Sequence, residues 1–180
     1  TASTKADSKR LAWEEMFALY AKEFPEKAGE ISRRFANKLS EGVLDKLPTF
    51  EYGQDKDKAT RVYSQGCLKA IAPSLPELVG GAPDLTPSNL TDYPGVVDFQ
   101  KDSPEGRYFR FGVREHAMVA VCNGMFAHGG MRPYCATFLV FSGYCMGSIR
   151  LSALSRFGII FVMTHDSIGL GEDGPTHQPV

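Results

Sequence analysis

The chain has 180 residues, of which 43% are hydrophobic, so it is long and apolar enough to bury a core and is not a disordered tail. Its 20 basic and 21 acidic residues nearly cancel, and this balance gives no support for nucleic acid or an anionic membrane as a partner. No apolar run approaches the roughly 18 residues of a membrane-spanning helix, and no signal peptide opens the chain.

Cysteine usage indicates a reducing compartment. The four cysteines form no CxxC pair, and Cys122, Cys135 and Cys145 lie in apolar stretches. This pattern is typical of reduced core thiols in a cytosolic or organellar protein. Because the chain begins without Met and ends one residue after Pro179, we expect it to be a segment of a longer protein.

The first third of the chain predicts two helices. Aromatic residues at spacings of three and four indicate an amphipathic helix over residues 8–24, which ends before a proline. A second helix follows, with apolar residues at every fourth position up to residue 39. Glycine, proline and the polar stretch 53–58 then break the pattern. We interpret residues 1–57 as a helical linker arm.

Residues 58–180 have the pattern of an α/β domain. A helix is predicted at 62–71, and a short strand at 78–81 leads into a Pro-rich loop. Strands and helices then alternate, with strands at 108–111, 134–139 and 158–163 and helices at 114–128 and 141–154. Helices of this length between strands indicate right-handed crossovers, and therefore a mostly parallel sheet with helices on both faces.

Three loops that directly follow strands carry the polar side chains of interest, at 82–91, 112–115 and 164–178. Parallel strands end at a common edge, so these loops should converge where α/β proteins bind ligands. The glycines and prolines of the last loop permit close approach of the backbone to a ligand. The predicted pocket contains Asp84, Ser88, Glu115, His165, Asp173 and His177.

The residues alone leave the chemistry of this pocket open. The His and Asp side chains of the last loop are possible zinc ligands, but they share no helical face and the chain between them is broken by Gly and Pro, which argues against a metal. The remaining explanations are that these His and Asp side chains hydrogen-bond a polar ligand or the loop's own backbone. The helix dipole favours a carboxylate in the first turn of a helix, so the position of Glu115 fits a structural role as well as a functional one. The aromatic residues at 138, 141 and 144 fit either a core stripe or a platform for a flat heterocycle.

Five segments resemble, in order and spacing, the pyrimidine-binding domain of transketolase. They are ATR at 59–61, GGAPDLTPSNLT at 80–91, GVREHAM at 112–118, TFLVFSGY at 137–144 and THDSIGLGEDGPTHQP at 164–179. The resemblance covers nearly the whole chain and implies the thiamine-diphosphate-binding pyrimidine-domain fold, incomplete at its C-terminus. Deoxyxylulose-phosphate synthases share DGPTH but carry DRAG where this chain has THDS, which favours transketolase.

The resemblance implies transfer of a two-carbon ketol unit from a phosphorylated ketose to an aldose, with thiamine diphosphate as cofactor. Glu115 matches the glutamate that hydrogen-bonds the N1′ nitrogen of the cofactor's aminopyrimidine. Phe138, Phe141 and Tyr144 match the apolar box around that ring, with Phe141 as the stacking side chain. Asp84 matches a residue of the subunit interface on the cofactor side.

The same matching implies contacts to the substrate. Asp173 matches the residue that hydrogen-bonds the substrate's C2 hydroxyl, and His177 matches the one near the reacting carbonyl oxygen. Both are expected to take part in catalysis by stabilising charge or moving a proton. Arg61, Ser88 and His165 match the contacts to the substrate phosphate, and their guanidinium, hydroxyl and imidazole groups are suitable donors to an anion.

The family binds the cofactor's diphosphate and a Mg²⁺ or Ca²⁺ ion through a separate domain with a Gly-Asp-Gly-type motif, which this chain lacks. Its active site forms between the pyrimidine domain of one subunit and the diphosphate domain of another. The resemblance therefore implies a homodimer, no metal ligand in this segment, and no activity for the segment alone.

Two other hypotheses and the compartment stay open at this point. The first alternative is a non-catalytic binding or assembly subunit, with or without a metal in the His/Asp loop. The second is another thiamine-dependent enzyme such as a deoxyxylulose-phosphate synthase. The sequence does not decide between the plastid stroma and the cytoplasm, or between a carbon-fixing cycle and the pentose phosphate pathway.

Overall fold

The computed structural model describes residues 2–166 and 174–178. The chain forms two compact units, Thr1–Leu39 and Ser40–Val180. The boundary predicted after residue 57 lies inside the second unit and stays a prediction. Among the described helices, none is long and apolar enough to cross a membrane.

The first unit contains two helices. α1 spans Ala2–Glu23 and α2 spans Pro25–Phe35, which begins with a proline whose fixed φ suits the first turn of a helix. The rings of Trp13 and Phe17 on α1 stack with centroids 5.1 Å apart, as the predicted aromatic spacing requires. α1 begins six residues earlier than predicted. The prediction missed this first part because the residues before position 8 are mostly polar and show no apolar period.

The described part of the second unit alternates helices and strands. The helices are α3 (Thr60–Ile71), α4 (Thr86–Asn89), α5 (Glu115–His128) and α6 (Ser142–Leu154). The strands are β1 (Leu78–Ala82), β2 (Tyr108–Arg110), β3 (Arg132–Phe138) and β4 (Ile160–Thr164). Short 3₁₀ turns occur at Leu44–Lys46, Ala72–Ser74 and Leu139–Phe141. The strands pair in parallel in the order β2-β1-β3-β4, which confirms the predicted α/β fold.

α4 is the one helix of the described second unit that the sequence did not predict. It occupies the Pro-rich loop after β1 and has only four residues, too few to show a helical period. Pro87 lies in its first turn, and Leu90 ends it in a left-handed conformation with φ of 56°. This short helix places Ser88 and Asn89 beside the carboxyl ends of the strands.

The carboxyl ends of the strands form one edge of the sheet, which we call the rim. Ala82 of β1 pairs with Arg110 of β2, and Phe138 of β3 pairs with Thr164 of β4. The loops after β1, β2 and β4 therefore leave the sheet at the same edge. The predicted convergence of these loops is observed for the described residues.

Two glycines allow β1 to lie close to both neighbouring strands. A Cβ atom at Gly80 would lie 2.0 Å from the carbonyl oxygen of Tyr134. A Cβ atom at Gly81 would lie 1.9 Å from the carbonyl oxygen of Phe109. Neither approach is compatible with a side chain, so glycine is required at both positions.

One face of the sheet packs against α3, and we call it the tyrosine face. Its buried core contains Tyr93, Tyr108 and Tyr134 together with Leu78, and residues of α3 pack against them. Hydrogen bonds connect its polar groups. The Tyr108 hydroxyl donates to the Thr86 hydroxyl at 2.7 Å and lies 2.9 Å from that of Thr91, while the Tyr134 hydroxyl donates to a carbonyl oxygen at 3.0 Å.

The opposite face packs against α5 and α6, and we call it the thiol face. Its core contains the buried thiols of Cys122, Cys135 and Cys145 together with Met118 and Val119. Neighbouring residues of a strand point to opposite faces, which is why Tyr134 and Cys135 belong to different clusters. Both faces carry helices, as the sequence predicted.

Candidate active site

A cleft of about 740 Å³ opens at the rim on the thiol side of the sheet. This volume lies within the roughly 300–1,000 Å³ of typical small-molecule sites. The loop after β1, the start of α5 and the start of α6 contribute its walls. The lining residues are Pro83, Asp84, Leu85, Val113, Arg114, Glu115, His116, Ala117, Phe141 and Tyr144.

Glu115 is the buried acid of this cleft. It is the first residue of α5, and only 9% of it is exposed. Gly112, with φ of 64°, provides the turn that leads into the helix. The neighbouring guanidinium of Arg114 donates to the carbonyl oxygen of Phe111 at 2.9 Å. Within residues 2–166 and 174–178, the Glu115 carboxylate accepts no hydrogen bond, so its acceptor sites are available to a ligand.

A buried thiol lies near Glu115. Cys145 of α6 is completely buried, and its thiol lies within hydrogen-bonding distance of the carbonyl oxygens of Phe141 and Ser142, at 3.9 and 3.5 Å. Burial raises the pKa of the Cys145 thiol, and the negative charge of Glu115 raises it further. Glu115 therefore lies near a thiol whose ionisation is disfavoured, and it lines the cleft.

Aromatic rings also line the cleft. Phe141 and Tyr144 both line the cleft, with centroids 6.0 Å apart. Phe138 is only 5% exposed and stacks on Phe141 with centroids 5.5 Å apart and ring planes within 5° of parallel. Phe138 does not line the cleft. It supports Phe141, and the Phe and Tyr rings that line the cleft are those of Phe141 and Tyr144.

The two histidines of the last loop lie against the rings of Phe138 and Phe141. The His165 ring stacks on Phe138 with centroids 3.8 Å apart. The His177 ring lies edge-on to Phe138 and Phe141, at 5.8 and 5.5 Å. Thus the sequence-predicted His165 and His177 lie beside the predicted aromatic box. Asp173 is outside the described residues.

The residues predicted to contact the substrate phosphate show fewer contacts with one another than the residues of the aromatic box do. Arg61 lies in the first turn of α3, and its side chain makes no hydrogen bond or ion pair with any described residue. The last residue of α3, Ile71, packs beside Leu78 at the start of β1, so the first turn of α3 points toward the rim. Ser88 is exposed on α4. No hydrogen bond within the described ranges connects Arg61 to Ser88.

The family model for the transketolase pyrimidine-binding domain matches residues 56–180. The chain belongs to this family. The resemblance drawn from the five sequence segments is confirmed.

The relatives are transketolases. Transketolase-1, chloroplastic, of Arabidopsis thaliana is 52% identical over 93% of this chain and 23% of its own length. The transketolase of a Nostoc species is 52% identical over 93% of this chain and 25% of its own length. Transketolase of Pichia stipitis in complex with sedoheptulose 7-phosphate has a TM-score of 0.91 at 48% identity, over 98% of this chain and 27% of that chain.

The chain spans about a quarter of the length of the relatives it matches. These relatives give no support to a non-catalytic assembly subunit or to a deoxyxylulose-phosphate synthase. Within the described part of the chain, no three His, Cys, Asp or Glu side chains are grouped as metal ligands.

Sequence reasoning missed two polar residues of the rim, Asn89 and Thr164. Both are buried, and the Thr164 hydroxyl donates a hydrogen bond to the Asn89 amide oxygen at 2.7 Å. The two residues lie 75 positions apart, and no local pattern connects them. The only available signal was that each adjoins a predicted site residue, Ser88 in one case and His165 in the other.

Proposed function

We propose that this chain is the pyrimidine-side part of a transketolase, which moves a two-carbon ketol unit from a phosphorylated ketose to an aldose. The observation that carries the proposal is Glu115, a buried carboxylate that accepts no hydrogen bond from the described residues and lines a cleft with two aromatic rings. Family membership and the transketolase relatives support the same conclusion.

The cleft fits the aminopyrimidine of thiamine diphosphate. A buried acceptor without a partner suits a ring nitrogen that shares a proton, and the flat Phe141 ring suits a heterocycle. When bound, thiamine diphosphate supplies the nucleophilic carbon and electron sink for cleaving a carbon–carbon bond. Glu115 would hold the proton at N1′ and so orient and activate the ring. Phe141 and Tyr144 would hold the ring by apolar contact and exclude water.

Substrate recognition is assigned to the loops of the rim. His177 would act at the reacting carbonyl oxygen and Asp173 at the C2 hydroxyl. Arg61, Ser88 and His165 would bind the substrate phosphate. Two observations support the last assignment: Arg61 has no ionic partner among the described residues, and α4 and β4 meet at the rim. Structures of the Pichia stipitis enzyme contain sedoheptulose 7-phosphate, fructose 6-phosphate and xylulose 5-phosphate, so we assign phosphorylated ketoses to this site.

A second subunit is part of the proposal. The outer surfaces of α5 and α6 are apolar and exposed, which is unusual for a surface that faces only water. The large exposed side chains there are Val121, Tyr144, Met146, Leu151 and Leu154. We assign this surface to a homodimer, in which the partner's diphosphate-binding domain closes the cleft and carries the Mg²⁺ or Ca²⁺ ion. Asp84, exposed at the mouth of the cleft, would lie at that interface.

The compartment is assigned as plastid stroma or cytoplasm. The relatives include proteins named chloroplastic, a cyanobacterial transketolase and yeast transketolases, which supports both compartments. A plastid protein would serve a carbon-fixing cycle, and a cytoplasmic one the pentose phosphate pathway.

The test uses the complete enzyme that contains this segment. Ketol transfer from fructose 6-phosphate to an aldose phosphate should require added thiamine diphosphate and a divalent cation, and the isolated 180-residue chain should be inactive. Absence of transfer by the complete enzyme at saturating cofactor would overturn the proposal.

A further inference from the structure

Three side chains at the rim form a hydrogen-bond chain. Asn89 of α4 is fully buried and contributes its amide oxygen. The hydroxyl of Thr164, the last residue of β4, donates to that oxygen at 2.7 Å. The same hydroxyl oxygen lies 2.9 Å from Nδ1 of His165. The chain thus runs from a helix, through the end of a strand, to a loop histidine.

The chemistry of these groups gives the chain a direction. With the Asn89 amide oxygen facing Thr164, the single hydroxyl proton of Thr164 is donated to Asn89, while the Asn89 amide nitrogen is buried without a hydrogen-bond partner among the described residues. Toward His165 the hydroxyl oxygen can then act only as an acceptor. Nδ1 of His165 then donates to this oxygen, and a contact to the donor's phosphate through Nε2 requires that nitrogen to carry a proton as well, because an unprotonated Nε2 only accepts hydrogen bonds.

The backbone of His165 is also held in an uncommon conformation. Its φ of 57° lies in the left-handed region, which few residues other than glycine adopt. Its ring stacks on Phe138, which is itself buried against Phe141. The ring is thus fixed from one side by stacking and at Nδ1 by the hydrogen-bond chain. Such independent constraints are what a preorganised contact requires.

We propose that Asn89 and Thr164 are positioning residues for His165, and that their hydrogen-bond chain sets how strongly this site prefers phosphorylated over unphosphorylated ketol donors. The inference rests on the proposed function, because it takes His165 as a contact to the donor's phosphate. It assigns no contact with substrate or cofactor to Asn89 or Thr164. Both act through the imidazole ring.

The experiment compares Thr164→Val with Thr164→Ser in the complete enzyme. Valine matches the shape of threonine but removes the hydroxyl, whereas serine keeps it. For Thr164→Val, we expect the KM for fructose 6-phosphate to rise about three- to tenfold, with the KM for hydroxypyruvate changed by less than about twofold. Thr164→Ser should retain wild-type values for both donors. Asn89→Leu, which removes the acceptor at similar volume, should resemble Thr164→Val.

A second readout is independent of activity. In crystal structures of the complete enzyme, the His165 ring should leave its wild-type position in Thr164→Val and keep it in Thr164→Ser. An unmoved ring in Thr164→Val, or equal KM changes for both donors, would overturn the inference. If the wild-type enzyme transfers no ketol unit, the proposed function fails, while the ring positions still decide whether the chain orients His165.

Discussion

The tyrosines Tyr108 and Tyr134 on one face of the sheet and Glu115 on the other differ in how their buried polar groups are bonded. On the tyrosine face, the hydroxyls of Tyr108 and Tyr134 donate to another hydroxyl and to the backbone, while the buried hydroxyl of Tyr93 has no hydrogen-bond partner among the described residues. On the thiol face, Glu115 is buried without a hydrogen bond from the described residues. Networks of satisfied groups fix geometry, whereas a buried group without a partner is costly unless a ligand completes it. The tyrosine face is therefore suited to positioning, and the thiol face to binding.

Removal of the Glu115 carboxylate should have the largest effect. In the complete enzyme, Glu115→Ala is expected to lower turnover at least about a hundredfold, because proton sharing with the cofactor is lost while the aromatic rings remain. Glu26→Ala is the matched control, since Glu26 is an exposed acid in the first turn of α2 and should change turnover little. Steady-state assays measure the turnover of both variants, and circular dichroism and sedimentation monitor fold and dimer. Turnover close to wild type in Glu115→Ala would remove its assigned role.

Loss of a phosphate contact should have the next largest effect. Arg61→Ala and His165→Ala are each expected to raise the KM for fructose 6-phosphate about ten- to a hundredfold, as loss of a charge-assisted contact worth about 1.5–3 kcal/mol requires. The KM for hydroxypyruvate, which has no phosphate, should change much less. Arg10→Ala, which removes an exposed arginine paired with Glu14, serves as the control. Equal changes for both donors would exclude the phosphate assignment.

The sequence predicted some of these features and not others. Apolar runs alternating with helices sufficed for the parallel sheet, and the position of Glu115 after a strand sufficed to place it at the rim. The role of Phe138 behind Phe141 was not predictable, because the 3₁₀ turn at Leu139–Phe141 sets the direction of both rings. The Asn89–Thr164 contact was hidden for a different reason, since it joins two distant segments through tertiary packing alone.

The tyrosine network should contribute to stability rather than to turnover. Tyr108→Phe removes a hydroxyl that bonds to Thr86 and leaves the buried Thr91 hydroxyl without its partner. We expect the free energy of unfolding to fall by about 1–3 kcal/mol, measured by urea titration. Tyr52→Phe is the matched control because Tyr52 is fully exposed, and its effect should stay within about 0.5 kcal/mol. Equal effects of the two changes would contradict a structural role for the network.

Alkaline pH should lower the free energy of unfolding through the buried thiols of the thiol face, and this is the smallest of the expected effects. Hydrogen bonding to Cys122 and burial raise the pKa of Cys135, and burial and the charge of Glu115 raise that of Cys145. In the unfolded chain these thiols ionise near pH ~8.5, whereas in the folded protein they stay protonated to higher pH. Their contribution to stability is therefore complete below pH ~8.5 and is lost as the pH rises toward the folded values.

The free energy of unfolding should accordingly fall above pH ~8.5, by up to about 1.4 kcal/mol per pH unit for each thiol. Cys145→Ala removes one of these groups, so the slope between about pH 8.5 and 10 should become shallower by up to that amount. Between pH 6 and 7.5 the thiols are protonated in both states, and the slopes of variant and wild type should coincide. Identical alkaline slopes would mean that Cys145 ionises equally readily in the folded and unfolded chains, and that the wall behind Glu115 is not the dry, neutral surface that its burial indicates.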